Sequence, residues 1–277
     1  MEHLDVPKTT NYIDTHVHFY DIQRAGLTWP STESPIWSSH LPRHHQQAYS
    51  KCEGVIVIET SKRDVDDKWL LRLAAESPYI LGVIANLDIC RSDFEKRLSQ
   101  AQESSKFKGI RLRPIAEIDI TSTQVAEHLA RLADGSNVVE AGCPDLERLH
   151  GFTALAKELT GQTFVLDHFG HPAIANGRLE KEWKDEMIRF SRAQNTYCKI
   201  TSLLQFSDNK GAEAEDYFPL LEFLEESFGR ERLVFGSNWP VSTLCADHRS
   251  VEIVQRFFGD ETLLRENALR LYKLQGV

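Results

Sequence analysis

Tyr12-Ile13-Asp14-Thr15-His16-Val17-His18-Phe19-Tyr20-Asp21 places two histidines two residues apart in a strand-like run. Side chains alternate faces along a strand, so Asp14, His16 and His18 are expected on one side and Ile13, Thr15 and Val17 on the other. Two imidazoles then converge on one spot. Neutral imidazole nitrogens are the commonest protein ligands for zinc, and a pair so spaced can bind one ion without bending the backbone. A hydrogen-bonded surface pair is the ordinary alternative for a lone His-x-His.

Beyond this run the segment from Ile22 to about Leu41 carries Trp29, Pro30 and Trp37 and is longer than most connections. Such a length suits a binding loop or lid, or an ordered loop that packs its tryptophans on the surface. The chain then alternates short apolar runs with helical patterns. Gly54–Thr60 precedes Val65–Ser77, Ile80–Leu87 precedes Asp93–Ser104, and Gly109–Pro114 precedes Thr123–Ala133. Asn137–Ala141 precedes Asp145–Leu159, and Thr163–His168 precedes Leu179–Ala193. Tyr197–Thr201 precedes Glu213–Phe228, and Leu233–Gly236 precedes Asp247–Phe258. Gly135, Gly161, Gly229 and Gly259 follow helical runs as C-terminal caps would. With the opening run this makes eight strands in one α/β domain spanning residues 1–277. A closed (β/α)8 TIM-like barrel is expected, with an open doubly wound sheet as the alternative. The Gly-rich phosphate fingerprint of a dinucleotide-binding sheet is missing.

Composition bounds the function. Of the 277 residues 41% are hydrophobic and 26% charged, which fits a soluble globular protein and neither a disordered nor a membrane chain. The net charge of −9 lacks the basic patch that phosphate contacts need, so a small-molecule partner is expected rather than nucleic acid. Met1 to Asn11 has no apolar core and does not resemble a secretory signal. Five single cysteines without a Cys-x-x-Cys pair suggest reduced thiols and a cytoplasmic location. Either a monomer or a homodimer is compatible with a parallel barrel.

Strands buried on both faces should read as continuous Val, Ile and Leu, and several here break that rule near their C-terminal ends, where barrel sites lie. In Gly109-Ile110-Arg111-Leu112-Arg113-Pro114, Ile110 and Leu112 share one face and Arg111 and Arg113 the other. Two guanidiniums then point into the barrel. They must meet an internal network with Glu59 and Glu140, a ligand, or both. His168 ends the strand Phe164-Val165-Leu166-Asp167-His168, on the face of Phe164 and Leu166, and is a third candidate ligand. His171 falls in the following loop, where a surface role is the default. Lys199 either orients substrate or snorkels at the barrel edge. Asn238 reaches the mouth after the eighth strand, and Trp29 either stacks on a ligand or packs at the rim.

Asp14-Thr15-His16-Val17-His18, Val165-Leu166-Asp167-His168-Phe169-Gly170-His171-Pro172, Phe235-Gly236-Ser237-Asn238-Trp239-Pro240 and Glu266-Asn267-Ala268-Leu269-Arg270-Leu271-Tyr272 together resemble the amidohydrolase superfamily. The chain is similar to its amidohydrolase-related branch of sugar-lactone and dicarboxylate-lactone hydrolases, from about Tyr12 to Leu274. The resemblance implies a distorted barrel that adds water to a cyclic ester. It implies that His16, His18 and His168 bind a divalent metal, zinc first, or contact substrate directly in a metal-free site, and that Arg111 or Arg113 holds substrate. The branch usually ends its eighth strand with the Asp that activates water, where this chain has Asn238; an amide cannot take that proton. A metal-activated water, Glu59, Asp88 or His168 is then the candidate base. Two other readings stand beside the lactonase: a metal-dependent decarboxylase of an aromatic acid, and a degenerate barrel that binds a sugar acid without turnover.

Overall fold

The computed structural model describes residues 11–61, 63–112, 118, 122–172, 174–175, 178–205, 213–245, 249–259 and 261–276. Eight parallel strands form one sheet in sequential order: β1 (Tyr12–Val17), β2 (Cys52–Ile58), β3 (Ile80–Ala85), β4 (Phe107–Arg111), β5 (Val138–Gly142), β6 (Phe164–Asp167), β7 (Thr196–Thr201) and β8 (Leu233–Gly236). β1 and β8 close the ring beyond the end of β8. There Asn238 N donates to the His16 carbonyl and His18 N to the Trp239 carbonyl, both at 2.8 Å. Gly236 is required at this seam, because a Cβ on it would lie 2.6 Å from the Cβ of His16. The molecule is a (β/α)8 barrel.

Helices follow the strands: α1 (Pro42–Ala48), α2 (Asp64–Glu76), α3 (Phe94–Gln102), α4 (Thr123–Asp134), α5 (Leu146–Glu158), α6 (Lys181–Ser191), α7 (Phe218–Phe228), α8 (Ser250–Phe258) and α9 (Asn267–Leu271). The expected elements are present with ends shifted by at most three residues, except that β1 stops at Val17 and α7 begins at Phe218, behind a 3-10 turn over Ala214–Tyr217. Two helices were not expected. α1 has only seven residues and too little periodicity to register, and α9 lies inside the closing motif. Gly135, Gly229 and Gly259 cap α4, α7 and α8, the last two with φ of 72° and 73°, whereas α5 is capped by Leu159. Asp145 caps α5 at its start, accepting from Arg148 N at 2.9 Å.

Period two along the strands sorts the core. Ile56, Ile58, Ile84, Val138, Val165 and Val234 cluster with Leu271 and Tyr272 and fill the barrel's interior. Val55, Val57, Val83, Val139 and Leu166, their neighbours in sequence, pack outward together with Ile110 against Leu70, Phe94, Leu129 and Phe152 of the helices. Each such side chain contributes roughly 1.5–3 kcal/mol when buried. The Asn267 amide fastens the C-terminal plug, donating to the carbonyls of Arg230 and Leu233 at 2.8 and 2.7 Å. Among the described residues no helix is long and apolar enough to cross a membrane, and all five cysteines are free thiols.

Candidate active site

The polar positions collect at the C-terminal ends of the strands, above the apolar plug. β1 does not keep strict alternation, since its register with β2 shifts between Asp14 and Val17. Asp14 therefore leaves the histidines. Its carboxylate takes Ser237 N at 2.8 Å and faces His45 Nε2 of α1 at 3.2 Å. His16 turns inward, where its ring lies 5.0 Å from His18 and 4.6 Å from His168. His16 is fully buried, and among the described residues neither of its ring nitrogens has a partner in hydrogen-bond geometry.

Asp167 is the residue that the sequence reading missed. β6 points Val165 and Asp167 into the barrel and Phe164 and Leu166 outward, so alternation would send His168 out as well. The backbone reverses this. His168, Phe169, Gly170 and His171 all have positive φ, at 53°, 39°, 73° and 51°, and this left-handed turn swings His168 back beside His16. Only glycine takes such angles without cost, so three non-glycine residues here store local strain. Gly142 on β5 gives the turn room, since a Cβ there would meet His171 Cε1 at 3.2 Å and Arg111 Nη2 at 3.3 Å.

Asp167 is the hub of the charges. Arg111 Nε lies 3.0 Å from Oδ2, while His16 Nδ1 and Lys199 Nζ lie 3.4 and 3.6 Å from Oδ1, and none of these contacts is aligned as a hydrogen bond. Burial alone would raise the carboxyl, but the Arg111 guanidinium with His16 and Lys199 holds it well below the usual range. Burial lowers the basicity of His16 and His168 well below that of free imidazole. The mouth thus holds neutral imidazoles around an ionised carboxylate. Ligand atoms of His16, Asp167 and His168 lie within 4.8 Å of one another, a two-nitrogen, one-oxygen set suited to a divalent cation. With the orphaned nitrogens of His16, these residues fit such an ion.

His18 stands outside that trio. Its Nδ1 faces the Ile58 carbonyl at 2.9 Å and its Nε2 faces Asn238 Oδ1 at 3.0 Å. A carbonyl only accepts, so Nδ1 carries a proton directed at Ile58. Asn238 turns its amide oxygen to this ring and its amide nitrogen to Ser202 and Gln205, a division that a carboxylate at 238 could not make. Asn238, at φ 61°, also sits 2.7 Å from Ser202 Oγ and 3.2 Å from Gln205 Oε1, and Ser202 Oγ lies 3.1 Å from His168 Nδ1. Ser202 and Gln205 carried no strand signal, because they follow the end of β7.

A cavity of about 460 Å³ opens over this floor, lined by His18, Trp29, Arg111, His168, His171 and Asn238 among others. His171, expected at the surface, is part of the wall, its ring 4.9 Å from that of His168 and lowered by burial to about 4. Trp29 closes one side, 5.3 Å from His18. Lys199 lines neither the cavity nor the barrel edge. It is fully buried beneath the floor, donating to Glu140 at 2.6 Å and the Thr15 carbonyl at 2.8 Å, with the Tyr272 hydroxyl on the other Glu140 oxygen at 2.7 Å. Glu140 thus pairs with Lys199, and Arg111 with Asp167 rather than with Glu140. Arg113 lies outside the described residues. Asp88 is exposed and bonded to Cys90 N, away from the cavity.

Comparison with known proteins agrees with the fold. An L-fucono-1,5-lactonase of Burkholderia ambifaria is 26% identical over 281 residues, covering 95% of each chain. An amidohydrolase crystal structure from Burkholderia multivorans with bound zinc superposes with a TM-score of 0.82 at 22% identity, covering 96% of this chain and all of that one. A probable 2-pyrone-4,6-dicarboxylic acid hydrolase from Acinetobacter baumannii, with citric acid bound, follows at a TM-score of 0.76 and 15% identity, with the same coverage. Residues 13–274 match the sequence profile of the family described as amidohydrolase, and with nearly the whole chain matched, the protein belongs to that family.

Proposed function

We propose that the protein hydrolyses a lactone, with water attacking the ring carbonyl over His16, Asp167 and His168. The observation that carries this reading is the buried trio of His16, Asp167 and His168 at the floor of an open cavity. Its likeness to fuconolactonase along the whole chain supports the substrate class. His16, Asp167 and His168 would hold a divalent ion, proposed as zinc. Such an ion lowers the pKa of water and polarises a carbonyl, supplying the base function that Asn238 lacks.

The chain's own residues do the rest. Arg111 keeps Asp167 ionised and faces the cavity, where its fork can hold a ring hydroxyl or carbonyl oxygen. His18, Asn238 and Ser202 form a fixed polar edge that orients the attacking water, and Trp29 offers a face to the ring. Glu59 is a poor base. Burial and the neighbouring Asp67 raise its carboxyl to about 8, one of its oxygens is taken by Thr60 N and Ser61 N, and it does not line the cavity.

The ion pairs of the mouth arginines favour a neutral sugar lactone over a dicarboxylate one. Among the described residues of the mouth, Arg111 is matched by Asp167 and Arg148 by Asp145, so neither is left to neutralise an added carboxylate. The test is elemental analysis of the purified protein together with a pH-indicator assay over neutral aldonolactones and dicarboxylate lactones. Stoichiometric zinc with acid release from neutral lactones is expected. CO₂ release from an aromatic acid in place of lactone opening would sink the reading, as would absence of turnover on every lactone.

A further inference from the structure

The segment after β1 runs from Asp21 to Leu41 and carries Trp29 over the cavity. Its two ends are anchored differently. At the base, Tyr20 and His40 exchange backbone hydrogen bonds of 2.9 and 2.8 Å, and the Tyr20 hydroxyl donates to the Ile36 carbonyl at 2.7 Å. Among the described residues the forward arm has no strand partner, and side chains fasten it to α2. Arg24 Nη2 donates to Asp66 Oδ1 at 2.5 Å, and its guanidinium lies 4.4 Å from the centre of the Trp69 ring. Arg63 Nη1 donates to the Ala25 carbonyl at 2.8 Å while its Nε faces Asp66 Oδ2 at 3.3 Å. Gly26, at φ 74°, completes the fastening, because a Cβ there would run into the Arg63 guanidinium.

Both arginines therefore end on Asp66. It is 2% exposed, and Ser61 Oγ donates to its Oδ2 at 2.6 Å, which fixes the carboxylate. A buried anion with two guanidiniums and a hydroxyl is a far stiffer anchor than an exposed ion pair, which usually fixes little. Five residues along from Arg24, Trp29 lies 5.3 Å from His18 and 5.2 Å from Tyr20.

We propose that Asp66 is a positioning residue. Through Arg24 and Arg63 it holds the 21–29 arm, and so the Trp29 wall, at a fixed distance from the His18 and Asn238 edge. Substrate meets a preset side wall that selects the size of its ring, and the arm is not a lid that opens with each turnover. Binding weakens when the wall is free to move, while the reacting atoms stay in place. The kinetic part of this inference rests on the lactonase reading; the structural part does not.

Hydrogen exchange of the purified full-length protein tests the latch without any substrate. Arg24→Ala is expected to speed exchange of amides in residues 21–34 by on the order of tenfold, with the barrel strands unchanged. Arg24→Lys retains a cation and is expected to restore much of the protection, and Asp66→Asn to resemble Arg24→Ala if it folds. On a lactone substrate Arg24→Ala should raise KM roughly three- to tenfold with kcat within about twofold, and should add nothing in a Trp29→Ala background. Unchanged exchange of the arm in Arg24→Ala, faster exchange spread over the whole barrel, or a KM effect equally large without Trp29 would overturn the proposal. Absence of wild-type turnover on lactones counts against the lactonase reading, and the exchange result alone then decides on the latch.

Discussion

Asp167 and Glu59 are both carboxyl groups at or just past the ends of inner strands, 0% and 5% exposed, and they are in opposite states. Asp167 is held well below the usual carboxylate range, while Glu59 is pushed up to about 8. Burial is a raising influence on both. What differs is the company. Arg111, His16 and Lys199 stand within 3.0 to 3.6 Å of Asp167, whereas the acidic neighbours Asp67 and Asp66 reinforce the rise at Glu59. The neighbours rather than the depth make one a metal-competent anion and the other a neutral acid at physiological pH.

The largest expected effect breaks the Asp167 side. Asp167→Asn leaves Arg111 with an uncompensated, largely buried charge while Lys199 keeps Glu140, and breaking such a pair typically costs about 3–5 kcal/mol of stability. It should also remove roughly a thousandfold or more of turnover, read by thermal melts and the lactone assay. A variant that melts like wild type would show that Asp167 is not the hub of the network. Next in size, His16→Ala should abolish stoichiometric metal in elemental analysis and lower kcat by roughly a hundredfold or more while leaving the fold intact. Retained metal would move the ligand set away from β1.

Asn238→Ala removes the shared partner of His18 and Ser202, and kcat should fall by about tenfold with little change in KM, as expected for a group that orients rather than transfers a proton. A loss as large as that of His16→Ala would mean that Asn238 takes part in the chemistry directly. The smallest activity change belongs to the Glu59 side. Glu59→Gln should keep kcat within about twofold, in keeping with a carboxyl outside the cavity wall.

Its signature is instead in stability against pH. The folded-state pKa near 8 lies above the ordinary 4.5, so Glu59 favours folding at low pH and that contribution is lost as pH rises through about 8. Wild-type melting temperature should therefore fall between pH 5 and 9, and Glu59→Gln should flatten the fall by roughly 2–4 °C for each kcal/mol removed. Asp67, raised to about 7 by burial, contributes a parallel slope that the substitution leaves in place. A slope unchanged by Glu59→Gln would place the titrating group elsewhere.

What the sequence determined by itself was whatever repeats with a fixed period. The β-then-α alternation specified eight strands and a barrel, and alternation within β4 put Ile110 toward the helices and Arg111 inward, as found. The pair of inward rings at His16 and His18 and the mouth position of Asn238 were legible from strand-end spacing alone. Periodicity stops where a strand stops. His168 reaches the site only because four successive residues adopt positive φ, and nothing in the pattern of apolar residues encodes that turn.

The tertiary structure decided which partners meet. Asp14 shares its sequence face with His16, yet a register shift and His45 of α1 draw it away. Lys199 was assigned to substrate or rim, yet Glu140, 59 residues distant in sequence, holds it under the floor. Asp167 looked like one more strand residue until β1, β4 and β7 delivered His16, Arg111 and Lys199 to it. Side-chain direction is a local property of the backbone, whereas charge state is set by groups that closure of the barrel brings from distant strands.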